Sequence, residues 1–176
     1  VVLVPMRRDQ LVPWLEEGRI DLAAANLTVT PERAERVAFS DPVATGIREI
    51  LVTGPASPPF AALDDLAGRP VVVRASSSYH ESLQALSADF ESRGLEAIDV
   101  VPAYEVLEDE DIVSLVAAGL AEATVVDSHK AAFLESVHPG IRLHPQIALR
   151  ADGELAWAVR RDSPQRAREV NHFVAG

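Results

Sequence analysis

Cysteine is absent from the 176 residues, which excludes disulfides and thiolate metal sites and suits reducing and oxidising compartments alike. No run comes near the roughly 18 apolar residues that a membrane-crossing helix needs, and no basic, apolar, small-residue signal segment opens the chain. Basic charge is also short: 16 Lys and Arg stand against 27 Asp and Glu, for a formal net charge of -11. That balance repels a phosphate backbone, and no basic stripe interleaved with aromatics occurs, so nucleic acid is not an expected partner. His80, His129, His138, His144 and His172 show no metal-ligand spacing with one another, so neither a metal nor a cofactor is expected. Repeats and low-complexity tracts are missing too. What is present is a globular composition, 48% apolar and 24% charged, at a length that fits one domain or two small lobes.

Short apolar runs alternate with helical patterns, which predicts an α/β class with largely parallel sheets. Strands are expected at 1–4, 21–25, 48–53, 70–74, 97–101, 123–126 and 155–160. The period of 3.6 predicts helices over 7–17, with Leu11, Val12, Trp14 and Leu15 inward, over Ser78–Arg93 and over Asp109–Ala118. Gly18, Gly94 and Gly119 close these three helices. A further helix is read at 128–136, and another from Ser163 with Pro164 in its first turn. The segment Gly54-Pro55-Ala56-Ser57-Pro58-Pro59 breaks both periods and is either a lobe boundary or a surface loop. Val1-Val2-Leu3-Val4-Pro5 reads as a strand already in progress, as expected of an excised segment.

The most distinctive stretch is Gly18-Arg19-Ile20-Asp21, a small-residue strand to Ala25, Asn26-Leu27-Thr28-Val29-Thr30-Pro31-Glu32-Arg33, and then Phe39-Ser40-Asp41-Pro42. In order and spacing it resembles the family 3 bacterial extracellular solute-binding proteins. The resemblance continues through Leu63–Gly68, Ser76–Ser78 and Val125-Val126-Asp127 and covers nearly the whole chain. Gly54-Pro55, Ser76-Ser77-Ser78-Tyr79, Leu107–Asp111 and Val125–Ala131 carry a narrower likeness, to the solute-binding module fused to membrane-bound lytic transglycosylases of the F type. The catalytic glutamate of such enzymes needs a Glu-Ser motif with downstream glycines. Glu81-Ser82, Glu91-Ser92 and Glu135-Ser136 lack that setting.

Arg33 lies just past a strand and a threonine-rich turn, where α/β sheets present side chains to a ligand crevice. Its guanidinium can grip a carboxylate in two places at once, and the resemblance assigns it the ligand's α-carboxylate. The alternative is a surface arginine starting a helix. Thr28 stands where the family supplies a hydroxyl, and Ala25 and Asn26 where it supplies backbone groups; the Asn26 amide either reads the ligand or holds the turn. Ser77 and Ser78 follow the strand at 70–73 and open a helix, so one of them is a cap, while the resemblance makes both binding residues. Arg74 either adds charge there or is an exposed residue at a strand end. Asp127 matches the family's acid for the ligand's α-amino group; its alternative is an N-cap for the helix at 128–136. Glu108–Asp111 reads as structural, complementing a helix dipole, and Tyr79 and Tyr104 either flank a ligand or pack.

The resemblance implies a type II periplasmic-binding-protein fold. Lobe 1 would comprise 1–46 and 150–176, without the family's first strand and helix, and lobe 2 would comprise 47–149, with a hinge near 45–48 and 148–152. It implies a small-molecule ligand, an amino acid, short peptide or muropeptide stem, bound in the interlobe cleft without catalysis. It also implies an extracytoplasmic location and, as partner, either a membrane transporter or a fused transglycosylase domain.

Overall fold

A computed structural model describes residues 2–176, and the chain divides into two compact units, 1–46 with 152–176 and 47–151. In the first unit, α1 (Arg8–Glu16) turns Leu11, Val12 and Leu15 inward, positions i, i+1 and i+4 on one helical face. They meet Ala23 and Leu27 of β1 (Leu22–Thr28), Val37 of β2 (Val37–Phe39) and Ala158 of β7 (Arg142–Arg160). Between the two short strands lies α2 (Pro31–Arg36). The C-terminal part of β7 pairs antiparallel with β1, Leu22 opposite Val159 and Thr28 opposite Leu155, and with β2, Phe39 opposite Ala158. α6 (Pro164–Val174) buries Val170 and stacks Phe173 on Trp157 at 5.5 Å.

In the second unit β3 (Ala44–Thr53) pairs antiparallel with β6 (Ala123–Asp127), Glu49 opposite Asp127 and Thr53 opposite Ala123. β4 (Pro70–Arg74) pairs in parallel with β5 (Asp99–Ala103). Side chains alternate across a strand. Accordingly Leu51 and Val125 join Tyr79, Leu83 and Phe90 of α3 (Ser78–Ser92) in one cluster. Ile50, Val52 and Val126 join Val113 and Val116 of α4 (Asp109–Ala117) and Leu134 of α5 (Ser128–Val137) in another. With helices on both faces, every residue of β6 is buried, which is why it reads as a continuous apolar run.

Several expectations are corrected. Residues 2–4 form no strand and are exposed; Val1 lies outside the described residues. The sheets are not largely parallel. Among the pairings of the described residues, β4 and β5, joined by the single helix α3, run parallel, whereas β1 and β3 meet strands far along the chain and pair antiparallel. β7 begins thirteen residues before the expected 155, at Arg142, because Arg142, His144, Gln146 and Arg150 break its apolar pattern. The strand expected at 97–101 lies at Asp99–Ala103, and β2 is too short to show a period. Residues 54–59 are a loop within the second unit, pinned where Ser57 donates its hydroxyl to the Glu122 carbonyl at 2.6 Å.

Candidate functional site

In the first unit β1 slips register between Ala23 and Leu27, and Asn26 takes a left-handed φ of 48° there. Asparagine tolerates that conformation better than most residues, so its backbone role is evident, and its side chain is exposed. Thr30 caps α2, its hydroxyl accepting the Arg33 N–H at 3.2 Å, with Pro31 at the first helical position. Arg33 therefore does sit in a short helix. Its Nη1 donates to the Thr28 carbonyl at 3.0 Å, which holds the half-buried planar fork against the end of β1. Such a fork can take a carboxylate with two parallel N–H bonds. Thr28 itself is buried.

The second unit gathers charge at the carboxyl ends of β4 and β6. Arg74, 3% exposed, is not a surface residue: Nη1 donates to the Leu107 carbonyl and Nη2 to Asp109 Oδ1, both at 2.6 Å. Asp109 Oδ2 accepts Lys130 Nζ at 2.6 Å and the Tyr79 hydroxyl at 3.3 Å. Burial opposes the charged Asp109 carboxyl, but Lys130 and Arg74 outweigh it and hold its pKa below the ordinary carboxylate value. Ser77 is the cap of α3; it accepts the His80 N–H at 3.2 Å and donates to the Arg74 carbonyl at 2.7 Å. Ser78 is buried in the first turn. Ser76 gives its N–H and hydroxyl to the two oxygens of Glu105, at 3.0 and 2.6 Å.

Asp127 occupies the N-cap position of α5 but makes no side-chain cap hydrogen bond, which removes the capping role as its explanation. It is 6% exposed, and its Oδ1 is buried with no hydrogen-bond partner. Burial, then the charges of Glu49 and Asp109, push its pKa up to about 6 against the opposing pull of Lys130 and Tyr79. Glu49, 1% exposed, accepts the Ser82 hydroxyl at 2.5 Å, and Arg150 Nε stands 3.4 Å from its other oxygen. That is ion-pair distance, yet both Glu49 Oε1 and Arg150 Nε lack a hydrogen bond, so the angle is poor. The phenol of Tyr79 is pushed well above its ordinary pKa by burial and by Asp109 and Asp127, and its oxygen accepts the Asp127 N–H at 3.1 Å.

The second unit thus brings Arg74, Ser77, Ser78 and Asp127 to one end of its strands, while Asn26, Thr28 and Arg33 stand together in the first. Sequence pattern gives Glu49, Ser82, Lys130 and Arg150 no role in a site, leaves Tyr79 between packing and a ligand contact, and makes Asp109 part of a structural acidic run at a helix start. One signal was available for Glu49: an acid that opens onto Ile50, Leu51 and Val52 within an expected strand is rarely buried without a partner. Among the described residues no group of three His, Asp or Glu side chains is arranged to hold a metal ion, and no helix is long and apolar enough to cross a membrane.

Two curated relatives are proteins named membrane-bound lytic murein transglycosylase F. That of Desulfosudis oleivorans is 30% identical over 165 residues, covering 94% of this chain and 34% of its own. That of Maricaulis maris is 35% identical over 149 residues, covering 82% and 30%. The chain spans about a third of the length of these relatives. Among solved structures, an ancestral arginine-binding protein bound to arginine gives a TM-score of 0.82 at 22% identity, covering 99% of this chain and 73% of that one. The substrate binding protein of an amino acid ABC transporter gives 0.81 at 21%, covering 99% and 72%. These likenesses establish the type II periplasmic-binding-protein fold. Because the family model also matches residues 1–176, the chain belongs to the bacterial extracellular solute-binding proteins, family 3.

Proposed function

We propose that this chain is a non-catalytic, extracytoplasmic binding domain for a small zwitterion, an amino acid, short peptide or muropeptide stem. Arg33 and Thr28 take its carboxylate, Asn26 contributes backbone groups, Ser77 and Ser78 add hydroxyls, Arg74 adds positive potential, and Asp127 takes its ammonium group. One observation carries the reading: a carboxylate oxygen of Asp127 is buried without a partner. Burying a charge that way is costly, and a ligand ammonium would offset the cost. The neighbours named as arginine-binding and amino-acid-transporter proteins support the ligand class. Calorimetry with the twenty L-amino acids, D-alanyl-D-alanine and a peptidoglycan stem tetrapeptide tests it. Binding by at least one, lost in Asp127→Asn, is the expected result; no heat from any of them at millimolar concentration sinks the reading.

A second reading is favoured by the names of the relatives and by their greater length. In it the chain is the ligand-sensing module of a membrane-anchored peptidoglycan lytic transglycosylase whose catalytic domain lies elsewhere in the protein; in the first reading its partner is a membrane transporter. The gene sequence around this segment separates them. A lysozyme-like domain in the same reading frame selects the sensing module, and a stop codon after Gly176 selects the receptor.

A further inference from the structure

The polar cluster of the second unit holds three cations, Arg74, Lys130 and Arg150, and three carboxylates, Glu49, Asp109 and Asp127, but the partners are shared unequally. Asp109 takes two cations, Arg74 and Lys130, each at 2.6 Å. Glu49 has Arg150 and the Ser82 hydroxyl. Among the described residues no cation is ion-paired with Asp127, although the charge of Lys130 still acts on it, and its Oδ1 is buried without a hydrogen-bond partner. Lys130 follows Asp127 by three residues in the first turn of α5, where its ammonium would find Asp127 if Asp109 did not hold it. We propose that Asp109 and Tyr79 are positioning residues that keep Lys130 out of a direct ion pair with Asp127, so that a primary ammonium carried by the ligand, and not Lys130, completes it.

This rests on the assignment of Asp127 to the ligand and adds what sets the charge preference of that position. Asp109 acts as a sink: it is buried, its two oxygens are each engaged by a cation, and Arg74 is itself fastened by the Leu107 carbonyl. Tyr79 acts as a spacer. Its oxygen accepts the Asp127 N–H at 3.1 Å, and its hydroxyl stands 3.3 Å from Asp109 Oδ2, so it fixes the two acids without adding charge. The groups facing Asp127 are Glu49 from β3, Tyr79 from α3, Asp109 from α4 and Lys130 from α5, with Arg74 and Arg150 behind them and exposed His129 beside Lys130. Without Asp109, Lys130 would be left with buried acids that lack a full partner, and it would compete with the ligand as a tethered ammonium.

The test is a carboxyl-carbon NMR titration of Asp127 in the wild-type chain and in Asp109→Asn, Lys130→Met and the double variant, with calorimetry using L-arginine and N-acetyl-L-arginine as probes. In the wild type Asp127 should titrate near 6, and only L-arginine, which carries the free α-ammonium, should bind. Asp109→Asn should lower the Asp127 midpoint by about one pH unit or more and weaken L-arginine at least about tenfold; adding Lys130→Met should restore the affinity. Because Asp109→Asn leaves Arg74 buried with one anchor fewer, Lys130→Met alone provides a second arm. It should raise the midpoint of Asp127 and move upward the pH below which L-arginine is released. A Lys130→Met shift of the Asp127 midpoint no larger in the Asp109→Asn background than in the wild type, or an affinity lost in Asp109→Asn and not recovered in the double variant, overturns the proposal. Midpoints that shift as stated across the variants, in a chain that binds neither these probes nor any of the amino acids and peptides named above, would instead retire the ammonium role of Asp127 and leave the charge partition standing.

Discussion

Glu49 and Asp127 stand directly opposite each other in the antiparallel β3–β6 ladder, on the face covered by α3. Directly opposed side chains of such a pair lie about 5 Å apart at Cβ, and like charges there repel. Both residues are buried, so the repulsion is poorly screened. This pairing supplies part of the upward shift of Asp127, after the larger effect of burial.

The first prediction concerns stability against pH. An acid whose folded pKa is raised from 3.8 to about 6 binds protons more tightly folded than unfolded. Its stabilising contribution is full below the unfolded value and is lost as pH rises through about 6. Two pKa units correspond to about 3 kcal/mol as an upper scale. Urea unfolding should therefore show Asp127→Asn gaining on the wild type between pH 4 and 7, with the two nearly equal at pH 4. Asp109, whose pKa is lowered, acts in the opposite sense and only as pH falls below the ordinary carboxylate range. A flat difference across pH 4 to 7 would show that Asp127 titrates normally.

Arg33→Ala tests the other end of the ligand. Removing the guanidinium should weaken any bound carboxylate ligand by more than tenfold, about 1.4 kcal/mol. The folded chain should lose the Arg33 bond to the Thr28 carbonyl, which is worth about 1 kcal/mol. Calorimetry and urea unfolding on the same preparation read both; a smaller loss of affinity would mean the carboxylate anchor lies elsewhere.

Ser77 joins two elements, since its hydroxyl accepts from His80 N–H in α3 and donates to the carbonyl of Arg74 at the end of β4. Ser77→Ala should cost about 1–2 kcal/mol, the range for a lost cap in a buried setting. Ser92→Ala, at the exposed C-terminal end of the same helix, should stay within about 0.5 kcal/mol. Equal costs at the two positions would mean that the Ser77 bonds contribute nothing beyond helix propensity.

The purified 176-residue chain should release no soluble product from peptidoglycan. Glu81, Glu91 and Glu135 lack the motif of a catalytic acid, and the raised carboxyl of Asp127 is read as a binding group. Any turnover above a heat-inactivated control would end the non-catalytic reading.

What was legible in the sequence was local. The helices at Ser78–Ser92 and Asp109–Ala117 follow from a period that repeats every few residues, and Gly94 and Gly119 end them with φ of 77° and 72°, a region glycine enters without strain. The linear pattern from Gly18 to Pro42 was enough to point to the family, because motif spacing survives when pairwise identity falls to the range of the relatives. The serine cap was legible for the same reason, as a short-range bond between Ser77 and His80.

Tertiary structure alone decided which charges meet. Arg74 and Asp109 are 35 residues apart, Asp109 and Lys130 21, and Tyr79 and Asp127 48; no local period links such pairs. Whether Arg74 is exposed or buried, and whether Asp127 caps a helix or is left with an unpartnered oxygen, depends on where α3, α4 and α5 pack. The extent of β7 was hidden likewise, since its neighbours β1, β2 and β3 are set by long-range hydrogen bonding and its polar residues mask the strand period. Side-chain identity determined what each group could do chemically. The low-dielectric surroundings created by packing decided which of them were neutralised and which one, Asp127, was left able to take a charge from outside.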